Sequence, residues 1–191
     1  MSSHHIVREK QEPALVILSL YQFDEEYLGQ LLEWSPTVLV SSRIIDEVDS
    51  LGIKIDLIIS DNKNYTSNQE HVKIIHSMVD ELEDALKYLV GEGYPAVNVI
   101  HHHFDAKDYV FYTDFIDLVV FCEDQKIYPI QSGFSKWKSK NEEIKILYPE
   151  TVKALSTSGL KILEHHHYQT LKDGFFSFTF EQRFIFIAEQ L

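Results

Sequence analysis

The chain is poor in the residues that staple, span or broadly neutralise. Its one cysteine, Cys122, rules out an intrachain disulfide. Set in the apolar run VVFCED, that thiol is expected to be buried in a core, in keeping with a reducing compartment. Basic residues number 17 against 30 acidic ones, a formal net charge of -13. That balance argues against a surface built to neutralise nucleic-acid phosphates. A small anionic ligand, which needs only a local cluster of donors, stays compatible with it. No apolar run approaches the length needed to span a bilayer, so no membrane partner is expected. The opening MSSHHIVREKQEP is polar and charged, unlike a signal peptide. The expectation is a cytoplasmic protein with residues 1–12 as a flexible tail. Glycine is sparse at seven residues, and neither a G-x-x-x-x-G-K-[ST] loop nor a G-x-G-x-x-G fingerprint occurs. The cysteine has no evident partner for nucleophilic catalysis.

What is present is an alternating pattern on a 45% hydrophobic background, enough for a sizeable core. ALVILSL (14–20), TVLVSS (37–42), IDLIIS (55–60), HVKIIHS (71–77) and AVNVIHH (96–102) read as strands. DEEYLGQLLEW (24–34) has Tyr27, Leu28, Leu31 and Leu32 at helical spacing, and RIIDEVDSLG (43–52) reads as a short helix stopped by Gly52. A clearer helix runs from about Asp80 to Gly91, with Leu82, Ala85, Leu86 and Leu89 on one face and acids in its first turn. DYVFYTDFIDLVVFC (108–122) is mainly apolar and is expected to be a buried helix, with strand as the alternative. Strands alternating with helices imply a largely parallel sheet.

After about residue 123 the texture changes. KIYPIQSG, FSKWKS, EIKILYP, KALSTSG, LKIL, FFSFTFE and RFIFIAEQ read as short strands, with Phe176, Phe178 and Phe180 on one face. The fold class expected is α/β: a mostly parallel sheet domain over 13–124, followed by an all-β sandwich domain over 125–191.

Four stretches, in order, resemble the thiamine pyrophosphokinase family. DLIISDNKN is similar to the family's Asp-Leu-Ile-Ile-Gly-Asp-Phe-Asp-Ser. VDELEDALKYLVGEG resembles its Thr-Asp-Leu-Glu-Lys-Ala-Leu helix, and STSGLKIL resembles Thr-Thr-Lys-Gly-Leu-Lys-Tyr-Pro-Leu. DGFFSFTFEQRFIFI resembles the closing segment that carries Ser-Asn-Glu. The resemblance runs from about residue 14 to the end. It implies an enzyme that uses Mg²⁺ to transfer diphosphate from ATP to thiamine, and a homodimer. It places catalytic, metal-holding acids at Asp61 and Glu81, with Asp108 and the Ser156, Thr157, Ser158 segment binding cofactor or substrate. The sequence departs from the pattern at several points. Lys63 stands where the second acid belongs, and Ala106 where an arginine belongs. SSRII replaces an Asp-Gly-Gly turn after the second strand. These departures put forward an alternative, a catalytically impaired ligand-binding or regulatory homodimer.

Other residues carry paired readings. Asp61 and its neighbours form either a metal site at a strand tip or ordinary turn chemistry. His101, His102 and His103 end a strand, where His101 and His103 would share a face. They are either polar residues at a strand tip or ligands for a transition metal. His165, His166 and His167 are expected in a surface loop. Ser156–Ser158 is either a ligand segment or a strand that ends at Gly159 with positive φ. Trp34 and Trp137 are expected to pack, with stacking on a ligand as the alternative for Trp137. Apart from Glu81, the acids Glu83 and Asp84 are expected to form a solvated helix start.

Overall fold

A computed structural model of the chain describes residues 10, 12–67, 71–164 and 166–191. Most of the expected tail and His165 lie outside the described residues. The chain divides into two compact units, Met1–Glu123 and Asp124–Leu191.

The first unit contains β1 (Ala14–Ile17), α1 (Glu25–Leu32), β2 (Val38–Ser41), α2 (Ile45–Ser50), β3 (Leu57–Ser60), β4 (Lys73–His76), α3 (Glu81–Gly91), β5 (Ala96–Ile100), α4 (Ala106–Val110) and β6 (Asp117–Cys122). The strands lie in the order β6-β5-β1-β2-β3-β4, and every pairing is parallel. Each residue of β1, β2 and β3 is buried. That is why these strands read as unbroken apolar runs rather than as alternations. The strand order reverses around β1, which has β2 on one side and β5 on the other. Ligands of open α/β sheets gather outside the carboxyl ends of the strands at such a switch point.

The helix over α3 forms as its spacing predicts. Leu82, Ala85, Leu86 and Leu89 are all buried. Asp80 caps it, its side chain accepting from the N–H groups of Leu82 and Glu83. Asp80→Ala is therefore expected to cost about 1 kcal/mol, read as a lower urea midpoint with an unchanged slope.

The 108–122 segment corrects the sequence reading. It is not one helix: α4 passes into a 3₁₀ turn over Phe111–Asp114 and then into β6. Backbone bonds from Phe115 and Ile116 back to Tyr112 O close the turn. Leu118, Val120 and Phe121 then enter the sheet core beside β5. Cys122, at the strand's end, is half-buried rather than fully enclosed. Trp34 is also a correction: at 68% exposure it is not a packing residue.

The second unit is built from antiparallel strands. They are β7 (Gln125–Ile130), β8 (Ser135–Lys138), β9 (Glu143–Ile146), β10 (Ser156–Ser158), β11 (Leu160–Glu164), β12 (His167–Thr170), β13 (Gly174–Thr179) and β14 (Ile185–Gln190). One sheet runs β11-β12-β9-β14-β7 and the other β10-β13-β8. Phe176, Phe178 and Phe180 point inward, as their period of two predicts, against Ile144, Tyr168 and Ile187. On the other side of β8 and β13, Trp137 and Phe175 are register partners and both exposed. Trp137 is thus not a packing residue within this unit. The expected histidine loop is in part a strand: His167 opens β12, and its Nε2 stands 2.8 Å from Glu143. Among the described residues no helix is long and apolar enough to cross a membrane.

Candidate functional site

The site is assembled at the carboxyl ends of β2, β3 and β5 and at the start of α3, all in the first unit. Ser41 ends β2 and Ser60 ends β3, and both are fully buried. Because β2 and β3 are parallel neighbours, Ser42 and Ser60 meet, hydroxyl to hydroxyl, at 2.9 Å. Arg43 follows Ser42. Its terminal guanidinium nitrogen donates to Asp61 Oδ2, and its Nε stands 4.0 Å from Glu81 Oε1. Glu81 enters from α3 and is nine-tenths buried; its Oε2 accepts the Ser41 hydroxyl at 2.7 Å. Among the described residues its Oε1 has no hydrogen-bond partner, although it is buried.

Charge and burial pull these groups apart. The hydrogen bond and charge of Arg43 hold the Asp61 carboxyl below its ordinary range. Burial pushes Glu81 up, against the Ser41 hydrogen bond and the Arg43 charge. Arg43 in turn is raised, first by the hydrogen bond to Asp61 and then by the Glu81 charge. Asp61 is thus ion-paired with Arg43, and Glu81 is buried, not part of a solvated helix start. Nor is Asp84: its carboxylate accepts the Ser77 hydroxyl at 2.9 Å and the Met78 N–H at 2.8 Å, fixing the β4–α3 connection.

Beside this cluster lies a cleft of ≈ 510 Å³ lined by Asp80, Lys87, His101, Lys107, Asp108 and Phe111, among others. β5 ends at Ile100, so the three histidines follow the strand instead of sharing its face. His101 keeps its backbone bond to Phe121 O and is half-buried, while His102 and His103 are exposed. Burial, then the charge of His102, lowers His101. Burial and the charges of Asp105 and Asp80 raise Asp108, and His103 offsets part of that rise. Asp80 lines the cleft, and its charge adds a little to the rise of Glu81. Among the described residues no group of three or more His, Cys, Asp or Glu side chains is arranged to hold a metal ion.

The structure thus brings Asp61 and Glu81 together through Arg43, and His101 and Asp108 together along the cleft. Ser156, Thr157 and Ser158 form β10 in the second unit, with Ser156 and Ser158 exposed and Gly159 at φ +75°. Sequence reasoning missed Arg43 and Ser41. The signal was in SSRII, which puts an arginine just past the second strand, where the resemblance leads to an expected Asp-Gly-Gly turn.

No protein-family model and no curated protein sequence matches the chain. Solved structures do. Thiamine pyrophosphokinase from Bacillus subtilis matches at 12% identity over 93% of this chain and 98% of that one, with a TM-score of 0.63. The Candida albicans enzyme matches at 10% identity over 95% and 90%, with a TM-score of 0.66. The yeast enzyme matches at 9% identity over 96% and 87%, with a TM-score of 0.65. The chain has the fold of the thiamine pyrophosphokinases, at a sequence distance of about nine residues in ten.

Proposed function

We propose that this protein is a thiamine pyrophosphokinase-like, cytoplasmic ligand-binding protein that does not carry out Mg²⁺-dependent diphosphate transfer from ATP to thiamine. The observation that carries this reading is the commitment of Asp61 and Glu81 to the chain's own groups, Arg43 and Ser41. Diphosphate transfer is mostly positioning plus neutralisation of charge. Mg²⁺ is usually held by one or two carboxylates together with substrate phosphates. The acids that resemblance assigns to it here carry a guanidinium instead. Lys63 stands where a further acid belongs. A cation already bonded to Asp61 and standing beside Glu81 repels a second one, so these residues do not fit Mg²⁺.

The cleft supports ligand binding without turnover. It is concave and mixed in character, with Phe111 and Tyr112 beside charged groups of both signs. A small polar organic molecule suits such a lining, and ATP and thiamine are the first to try. The homodimer implied by the resemblance belongs to the same reading, and the exposed Trp137 and Phe175 support it.

The test is product formation. Purified protein incubated with thiamine and Mg-ATP is expected to yield no thiamine diphosphate, with or without Asp61→Ala. Product that disappears in Asp61→Ala would restore the kinase reading.

A further inference from the structure

Arg43 is badly placed for a merely stabilising ion pair. Its side chain is 67% exposed and that of Asp61 is 55% exposed, and such surface pairs contribute only ~0–1 kcal/mol. Yet three elements converge on it: the residue follows the tip of β2, Asp61 follows β3, and Glu81 opens α3. The guanidinium lies on the Asp61 side, and Arg43 Nε stands 4.0 Å from Glu81 Oε1. This distance exceeds that of a hydrogen bond. The result is a buried carboxylate oxygen, Glu81 Oε1, with no hydrogen-bond donor among the described residues. Leaving such an oxygen unpaired is costly, and most carboxylate oxygens in this position find a partner. The neighbouring groups are all hard oxygen donors: the carboxylates of Asp61 and Glu81 and the hydroxyls of Ser41, Ser42 and Ser60. Oxygen sets of this kind suit Mg²⁺ and Mn²⁺.

We infer that Arg43 is a tethered substitute for a divalent cation: its guanidinium blocks a latent oxygen-ligand metal site formed by Asp61 and the unpaired oxygen of Glu81. The inference rests on the reading above that these acids serve the chain rather than a metal. It goes further in placing the block on one removable side chain. Shortening that side chain frees the Asp61 carboxylate and removes the competing charge, while the serine hydroxyls and the Ser41–Glu81 bond hold Glu81 in place.

The test uses Mn²⁺ alone as the probe, followed by its electron paramagnetic resonance signal and by calorimetry. Wild-type protein is expected to bind Mn²⁺ at least tenfold more weakly than Arg43→Ala. Arg43→Lys keeps a positive charge and is expected to resemble wild type. Arg43→Ala combined with Asp61→Asn is expected to lose the gain. Arg43 is exposed, so the variants are expected to keep the wild-type circular dichroism. Equal Mn²⁺ binding by wild type and Arg43→Ala would overturn the inference, as would no gain in folded Arg43→Ala and Arg43→Gln. Either result leaves the ligand-binding reading standing if no thiamine diphosphate forms. Thiamine diphosphate made by wild type would overturn both together.

Discussion

Glu189→Gln is expected to cost about 3 kcal/mol of stability, because it leaves lysines around a buried site without their counter-charge. Glu189 lies on β14 and is only 4% exposed. Lys136 donates to its two carboxylate oxygens at 2.9 and 2.7 Å, and the Tyr128 hydroxyl donates at 2.6 Å. Lys138 stands 3.3 Å away. Lys126 is its register partner on β7 and is lowered by burial and by the charge of Lys136. Glutamine keeps the shape but removes the charge that holds these ammonium groups. Replacing Glu189 and Lys136 together by methionine is expected to recover only part of the loss, since Lys138 and the Tyr128 hydroxyl still lose Glu189. A loss below 1 kcal/mol for Glu189→Gln in urea unfolding would mean that the lysines reach water instead.

The same group sets an acid limit. Burial pushes the Glu189 carboxyl up, but the bonds from Lys136 and Tyr128 outweigh it and hold the group below its ordinary range. A carboxyl depressed by folding stabilises fully above its unfolded pKa and loses that contribution as pH falls through the folded value. The difference between wild type and Glu189→Gln should be flat near neutrality and shrink below about pH 4. Tyr128 contributes nothing in this window: burial and Glu189 push it far above its usual range.

What the sequence made legible follows from how each element is buried. β1, β2 and β3 stand out as apolar runs because both of their faces are covered. α3 stands out because its spacing, its acids and its Asp80 cap agree. The 108–122 stretch is misread because composition alone cannot separate a short helix from a buried strand when both are apolar. β12 is hidden for the opposite reason. Only Tyr168 and Thr170 of HYQT are buried, and the histidines before them read as a loop. Thr170 is held by polar bonds, accepting from Glu142 N at 2.9 Å and donating to Ser139 O at 2.6 Å, which no hydrophobic pattern reveals.

The candidate site divides in the same way. Asp61 and Glu81 are legible because a strand tip and a helix start are local features. Their meeting through Arg43 depends on β2 lying beside β3 and on α3 returning to the same end of the sheet. That is topology, and an arginine in SSRII does not announce its partners. The fate of Glu81 Oε1 is likewise a product of packing, invisible in the run VDELED.

Gly159→Ala is the second large effect, expected to cost about 3 kcal/mol from backbone strain plus a clash that cannot relax locally. Gly159 joins β10 to β11, where the chain leaves the three-stranded sheet for the other sheet of the sandwich. Its φ of +75° is one that side chains disfavour. A Cβ there would stand 2.6 Å from Phe175 O and 3.1 Å from Phe176 Cα. Both are backbone atoms of β13, whose Phe176 is nearly fully buried, so the neighbour cannot swing aside. Gly159 O also accepts the Leu171 N–H at 3.1 Å, which ties the turn to the end of β12. Gly133→Ala isolates the two causes. Its φ is +88°, but no atom of the described residues lies within 4 Å of the added Cβ, so it should show only the conformational cost, about 1 kcal/mol. The difference between the two variants in urea unfolding measures the close approach of β13. If Gly159→Ala costs no more than Gly133→Ala, the strand pair β10–β13 can part at Phe175, and the Ser156–Ser158 segment that precedes the turn is held far less firmly than its register implies.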